Sequence, residues 1–165
     1  MIEFGKTYHD IVTDFEGICT GMVEWLYGCR QYILQPKGEN THKKEHGAMF
    51  FEKQLEYVND GIADKVEAPA IQPQRFFGKE CLDKVTGLRG ICIGRYIWLF
   101  NCDQYVLEFQ PDARTKETKF NILDEGRVEI APDPSKEVRP EDVASPRSGG
   151  VLSADTYPQT DIPMM

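Results

Sequence analysis

The chain has 165 residues, a formal net charge of −8 and a sequence isoelectric point near 4.9. Its 41% hydrophobic and 28% charged residues are typical of a soluble globular protein, and no run reaches the roughly 20 apolar residues that cross a bilayer. The acidic balance argues against non-specific nucleic-acid binding, which needs a basic surface.

The N-terminus, residues 1–6, lacks a basic region followed by an apolar run, so we expect no secretory signal and synthesis in a cytoplasm. Residues 5–34 then recur as residues 78–107 without a gap, and 15 of these 30 positions are identical. Such self-similarity predicts two copies of one structural unit. The identical positions of the first copy are Gly5, Lys6, Asp10, Val12, Thr13, Gly17, Ile18, Cys19, Gly21, Trp25, Leu26, Cys29, Gln31, Tyr32 and Leu34.

Short alternating segments in each unit predict β-strands rather than helices. The sequence therefore predicts an all-β fold of two tandem small SH3-like barrels, made of bent antiparallel sheets, followed by an extended arm. The first-unit strands are predicted over residues 5–13, 17–25, 30–34 and 55–58, with counterparts at an offset of 73. The predicted boundaries are 1–59 for the first barrel, 60–77 for a linker, 78–131 for the second barrel and 132–165 for the arm.

Glycine and tryptophan recur at fixed places in the second strand of each unit. Gly21 and Gly94 fall in mid-strand, where glycine usually marks a bulge or a sharp bend. Trp25 and Trp98 share a strand face with them, so we expect these rings to anchor the core or the contact between units. A ligand platform is the alternative role for the two rings.

The residue pair Gly28 and Asn101 predicts a tight turn after each tryptophan. Glycine lacks a Cβ atom and asparagine tolerates positive φ better than most residues, so their exchange indicates a left-handed backbone position. We therefore expect a hairpin turn with positive φ at both positions.

Four of the five cysteines form repeat-related pairs, Cys19 with Cys92 and Cys29 with Cys102, while Cys81 has no counterpart. Their spacing is not that of a zinc site. We expect small buried hydrophobic residues on strands, which is where free cysteine is usually found. The alternative is oxidation of Cys19 with Cys29, and of Cys92 with Cys102, as cross-strand disulfides outside a cell.

Few residues suggest catalysis. His42 and His46 fit an H-x-x-E-H metalloprotease pattern, but they lie in a charged segment that is not repeated, so we expect a surface loop. Asp10 and Asp83 precede a Val-Thr pair, where an aspartate most often fixes a turn through side-chain hydrogen bonds, although a catalytic base is the alternative. No nucleotide-binding or nucleophile-elbow motif is present, so we expect no enzyme activity, no cofactor and no metal.

The repeated Gln-Tyr pairs are the surface that we would test first for ligands. Gln31 with Tyr32, and Gln104 with Tyr105, could form a polar recognition face, whereas ordinary cross-strand pairing is the alternative. Tyr157 in the arm completes the candidate binding residues. The arm, residues 132–165, holds six of the ten prolines and few large apolar residues, so we expect it to gain order on a partner.

The string D-x-V-T-x-x-x-G-I-C-x-G, followed by W-L-x-x-C-x-Q-Y-x-L, resembles a short repeat of small tailed-bacteriophage proteins. Lys84–Gly90, Tyr27–Cys29 and Gln35–Pro36 carry the similarity, while Asp14 and Asn101 depart from the glycine that is usual there. The resemblance covers most of both units but not the arm. It implies a phage origin and brings no catalytic residue.

The sequence thus predicts a non-enzymatic virion component, such as a capsid decoration (cement) protein or another head or tail accessory. Its expected partners are phage structural proteins, with self-association as a further possibility and no membrane. The alternative is a soluble phage effector that binds a host protein or small ligand through the Gln-Tyr faces. Nucleic-acid binding is a weaker third hypothesis, because small barrels often bind nucleic acids.

Overall fold

The computed structural model describes residues 1–37, 47–110, 114–135 and 137, and the all-β prediction is confirmed for them. The first half contains β1 Thr7–Asp10, β2 Glu16–Trp25, β3 Arg30–Gln35, β4 Ala48–Phe51 and β5 Leu55–Asn59. The second half contains β6 Glu80–Asp83, β7 Arg89–Trp98, β8 Gln104–Glu108, β9 Phe120–Asp124 and β10 Val128–Ile130. Single 3-10 turns, Glu52–Gln54 and Glu125–Arg127, precede the last strand of each half.

Both halves pair their strands in the same antiparallel order. The strand β1 pairs with β2 and β5, β2 with β3, and β3 with β4; the strands β6 to β10 repeat this order. The two halves are joined by β2 and β7, so all ten strands form one sheet, which is not closed. The shared sheet was not predicted, because the repeat indicates the strands within each unit but not pairing between the units.

A bulge lies in the middle of each long strand, as the mid-strand glycines predicted. Cys19 is opposite Leu34 while Gly21 is opposite Ile33, so Thr20 is the extra residue of β2. The same shift occurs in β7 between Cys92 and Gly94. Before its bulge β2 pairs with β1, and after it β2 pairs with β7. The bulge therefore marks the point where each long strand turns from its own half to the other half.

Three hydrophobic clusters fill the space around the sheet. One is the core of the first half, and it takes Ile97 from the second half against Met22. One is the core of the second half, which takes Phe76 from the linker in edge-to-face contact with Tyr105 at 4.7 Å. The third lies at the junction, where residues of both halves contact one another: Val23, Leu26, Ile33, Ile93, Tyr96, Trp98 and Val106.

Some local predictions were wrong or incomplete. Gly28 has φ +85° as expected, but Asn101 does not have positive φ; its side-chain oxygen instead accepts a hydrogen bond from the Cys102 N–H at 2.9 Å. The strands β4 and β9 were not predicted, and Phe50 of β4 is buried while Phe51 is exposed. The H-x-x-E-H pattern, Tyr157 and the arm beyond residue 137 lie outside the described residues.

Candidate functional site

The predicted Gln-Tyr faces are not polar surfaces. Tyr32 and Tyr105 are 3% and 1% exposed, so both rings belong to the hydrophobic cores. The glutamines hold the tryptophans: Trp25 Nε1 donates to Gln31 Oε1 at 3.1 Å, and Trp98 Nε1 donates to Gln104 Oε1 at 3.0 Å. This placement corrects the interpretation of a recognition face and favours the cross-strand alternative. The pairs are repeated because they position a buried ring and an indole in each half.

The tryptophans anchor the junction between the halves, as predicted, and the glycines make room for them. Gly21 is opposite Trp98, and Trp25 is opposite Gly94, so each ring lies over the glycine of the other half. A Cβ atom added at Gly21 would lie 2.9 Å from the Trp98 ring, and one at Gly94 would lie 2.7 Å from the Trp25 ring. The two glycines are therefore required for the close contact between the halves, in addition to the bulge that the sequence predicted.

The junction breaks the repeat at one pair of positions. Met22 of β2 lies opposite Ile97 of β7. In the equivalent pair, Arg95 stands at the position of Met22 and lies opposite Glu24, which stands at the position of Ile97. One of the two equivalent pairs is therefore charged and the other is apolar. Glu24 is 5% exposed and Arg95 is 1% exposed. Burying charges requires partners, because desolvation costs several kcal/mol per ion. An alignment of the two repeats shows the exchange, but it does not show that both positions are buried.

Arg95 and Glu24 find their partners in the adjacent hairpins and in the linker. Arg95 Nε donates to Asp103 Oδ2 at 2.9 Å, a second bond runs from its Nη2, and its Nη1 donates to the Gln72 carbonyl at 2.6 Å. Glu24 accepts from Arg30 Nη2 at 2.5 Å and from Gln74 Nε2 at 2.6 Å. The bonds to Gln72 and Gln74 hold the linker against the part of the junction that contains Glu24 and Arg95.

A pocket of about 330 Å³ opens at this side of the junction. Its apolar wall comes from Trp25, Leu26 and Phe77, and its polar wall from Glu24, Arg30 and Gln74, with Gly28 and the exposed Cys29 completing the lining. The lining is about equally polar and apolar, so the pocket suits a group that carries both apolar and hydrogen-bonding surface. The pocket is the candidate site for a ligand or a peptide segment.

Exposed apolar side chains recur at equivalent positions of the two halves. Tyr27 and Phe100, at the tips of the β2–β3 and β7–β8 hairpins, are 48% and 55% exposed. Val12 and Val85, in the turns before β2 and β7, are 69% and 72% exposed. A single exposed apolar residue is ordinary, but the same position kept apolar and exposed in both halves suggests a contact surface presented twice.

The turn aspartates have the structural role that was expected. Asp10 Oδ2 accepts from the Thr13 N–H at 2.7 Å, and Asp83 Oδ2 accepts from the Thr86 hydroxyl at 2.6 Å. Arg127 adds a two-bond contact to Asp83, with Nε to Oδ1 at 3.1 Å and Nη2 to Oδ2 at 2.7 Å. Arg127 and Thr86 hold the pKa of the Asp83 carboxyl well below its usual range.

The first half lacks this arginine, because Gln54 occupies the equivalent position. Burial opposes ionisation of Asp10, but the hydrogen bonds from Thr13 outweigh it, so the pKa of Asp10 is also lowered. Its Oδ1 is buried without a hydrogen-bond partner. The two turns therefore differ in how strongly they hold their carboxylates.

Arg127→Gln should weaken the acid dependence of stability. A lowered folded-state pKa contributes stability above the unfolded value of 3.8, and this stability is lost as the pH falls from there towards the folded pKa. The unmodified chain should lose melting temperature steeply below about pH 4. The variant should melt lower at pH 7 and show a shallower loss, measured by circular dichroism from pH 7 to pH 2. Gln54→Arg is the inverse variant, and parallel pH profiles for all three chains would contradict this role of Arg127.

The cysteines are of two kinds. Cys19, Cys81 and Cys92 are buried, and burial raises the pKa of Cys19 to about 12 and that of Cys81 to about 11. Cys29 and Cys102 are exposed, which corrects the expectation that all of them are buried. Cys19 is opposite Leu34, five residues from Cys29, or about 16 Å along an extended strand. The disulfide alternative is therefore wrong, because bridged Cα atoms lie within about 7 Å.

Comparison of the chain with family models, with curated proteins and with solved structures finds no match. Within the described ranges, no three histidine, cysteine or acidic side chains cluster in a way that could hold a metal ion. No helix among those residues has the length and apolar character needed to cross a membrane.

Proposed function

We propose that the protein is a non-enzymatic virion component of a tailed bacteriophage, a capsid decoration (cement) protein or another head or tail accessory. In this proposal each half is an SH3-like barrel, since its four-strand meander is followed by a 3-10 turn and a last strand that returns to the first. The resemblance of the repeat to phage proteins supports the viral origin. The main support for a binding role is the pair of exposed hairpin residues, Tyr27 and Phe100.

Two equivalent contacts suit attachment to a repeating lattice of subunits. When one contact has formed, the second becomes an intramolecular event and the avidity exceeds that of either contact alone. Aromatic side chains that insert into a partner also supply much of the energy of protein interfaces. The C-terminal arm, which begins after β10, would add contact area by ordering on neighbouring subunits.

The test is mass spectrometry of particles purified from cells that produce the full-length chain. The unmodified chain should copurify with particles, whereas Tyr27→Ser with Phe100→Ser should reduce its copy number about tenfold or more. Each single variant should lose less, because one contact remains. Ile71→Ser is the matched control, since Ile71 is 54% exposed in the linker and has no counterpart in the repeat.

Normal incorporation of the double variant would contradict the role of the hairpin tips. A chain that stays free in infected cells and is absent from particles would contradict the virion proposal, and it would favour the soluble effector. Loss of incorporation with Ile71→Ser as well would indicate a general effect of surface polarity.

A further inference from the structure

The two halves place different side chains beside their turn aspartates, although the backbone there is the same. The Ile11 N–H donates to the Gln54 carbonyl at 3.0 Å. In the second half, the Lys84 N–H donates to the Arg127 carbonyl at 2.9 Å. The side chains of Gln54 and Arg127 therefore begin from equivalent places beside the two aspartates.

The carboxylate of Asp10 is fully buried but only partly bonded. The Val12 N–H helps to lower the pKa of Asp10, yet within the described part of the chain no hydrogen bond reaches Oδ1. In the second half, Arg127 bonds to both oxygens of Asp83, which is equally buried. The Arg127 side chain stays 39% exposed while it makes these bonds, so a guanidinium group reaches such a carboxylate from the surface.

The charges around the two turns also differ. Residues 9–16 and 52–56 include five acidic residues and one lysine, which give a formal net charge of −4. The equivalent residues 82–89 and 125–129 include three acidic and three basic residues, which give a net charge of zero. The three basic residues are Lys84, Arg89 and Arg127. The turn end of the first half is therefore the one that attracts a cationic partner.

We propose that the turn end of the first half binds an arginine side chain from a basic segment of a partner protein, and that this arginine contacts Asp10 as Arg127 contacts Asp83. The guanidinium group supplies two parallel N–H donors, a geometry that matches a carboxylate and that lysine lacks. It displaces the side chain of Gln54, whose Oε1 accepts an exposed hydrogen bond from the Phe51 N–H at 3.1 Å.

A different protein is favoured over a second copy as the source of this arginine, because two chains of net charge −8 repel each other. The inference is independent of any association with particles.

The experiment titrates the isotope-labelled full-length chain with a blocked peptide, Gly-Gly-Arg-Gly-Gly, at pH 7 and follows the backbone amides by NMR. The Thr13 N–H donates to Asp10 Oδ2 and is the reporter of the site. Its resonance should shift with a Kd of about 1 mM, as expected for one charge-assisted contact. A peptide with citrulline, which has nearly the same shape without the charge, should bind at least about tenfold more weakly, and so should the lysine peptide.

Two substitutions exchange the behaviour of the halves. Gln54→Arg supplies the guanidinium group within the chain and should abolish the Thr13 response. Arg127→Gln frees the aspartate of the second half and should create a second response at the Val85 N–H, which donates to that carboxylate at 3.1 Å. Glu52→Gln is the matched control, because it changes the net charge as Gln54→Arg does but at an exposed position, and it should keep the Thr13 response.

The proposal is overturned if the Thr13 response persists in Gln54→Arg, or if the arginine and citrulline peptides act equally. Loss of the response in Glu52→Gln would be equally decisive, since it assigns the effect to surface charge alone. No shift at Thr13 up to about 20 mM peptide, or no new response in Arg127→Gln, would also contradict it. A Thr13 shift on concentrating the chain without peptide would assign the contact to a second copy instead of a different protein.

Discussion

Gly94→Ala is expected to lower the free energy of unfolding by about 2 to 3 kcal/mol, as over-packing of a dense core does. The added Cβ atom would lie 2.7 Å from Cε3 and 2.8 Å from Cζ3 of Trp25, and 3.1 Å from Val106 Cγ2. The indole cannot move away easily, since its Nε1 is bonded to Gln31. Urea unfolding followed by tryptophan fluorescence measures the loss, and Gly21→Ala should behave similarly because its Cβ would lie 2.9 Å from Trp98.

Gly126→Ala is the control for the loss of a glycine. A Cβ atom at Gly126 meets nothing within 4 Å, so this variant should be neutral or slightly stabilising. Trp25→Leu should be destabilising alone, but in the Gly94→Ala background it should cost less than the sum of the two changes, because the smaller side chain relieves the clash. Equal stability of Gly94→Ala and Gly126→Ala would contradict the proposed contact between halves.

Arg95→Met is expected to lower the free energy of unfolding by about 3 to 5 kcal/mol, the usual cost of breaking a buried ion pair. The substitution copies Met22 of the first half, but it leaves Asp103 without its guanidinium partner and the Gln72 carbonyl without a donor. The measurement is the same urea titration. The linker should also become more open to limited proteolysis, because the bond that holds Gln72 is lost.

Two further variants test whether the destabilisation comes from leaving the Asp103 carboxylate unpaired or from losing an arginine side chain as such. Arg89→Met makes the same change at an exposed position of the same strand and should alter stability by less than about 0.5 kcal/mol. Adding Asp103→Asn to Arg95→Met should restore part of the loss, since the carboxylate left without its partner is then neutral. A double variant that is no more stable than Arg95→Met alone would contradict the ion pair as the cause.

The sequence predicted the all-β class and most of the strands, because each strand pattern occurs twice in the chain at equivalent positions. It predicted the bulges at Gly21 and Gly94 and the anchoring role of the tryptophans for the same reason. Asn101 misled the turn prediction, because asparagine can satisfy a turn through its side chain as well as through positive φ. The Gln-Tyr pairs misled the site prediction, since a period of two identifies two faces but does not show which one is buried.

The candidate pocket could not be predicted from either repeat alone. It forms where β2 meets β7 and where the linker contacts them. The paired residues of these strands are 69 to 77 positions apart, and pairing over such a separation leaves no local pattern in the sequence. The repeat did contain one signal. Glu24 and Arg95 are charged where the equivalent positions carry Ile97 and Met22, and such departures from a repeated core can be searched for deliberately.

The pairing of β2 with β7 has the symmetry of a contact between two identical subunits. Gly21 meets Trp98 and Trp25 meets Gly94, so the same surface patch is used by both halves in an isologous contact. An isologous contact needs only one sequence, because two copies of a single half would already place each glycine under the ring of its partner. The chain therefore has the geometry of a homodimer joined into one polypeptide, in which Glu24 and Arg95 differ from Ile97 and Met22 at the equivalent positions.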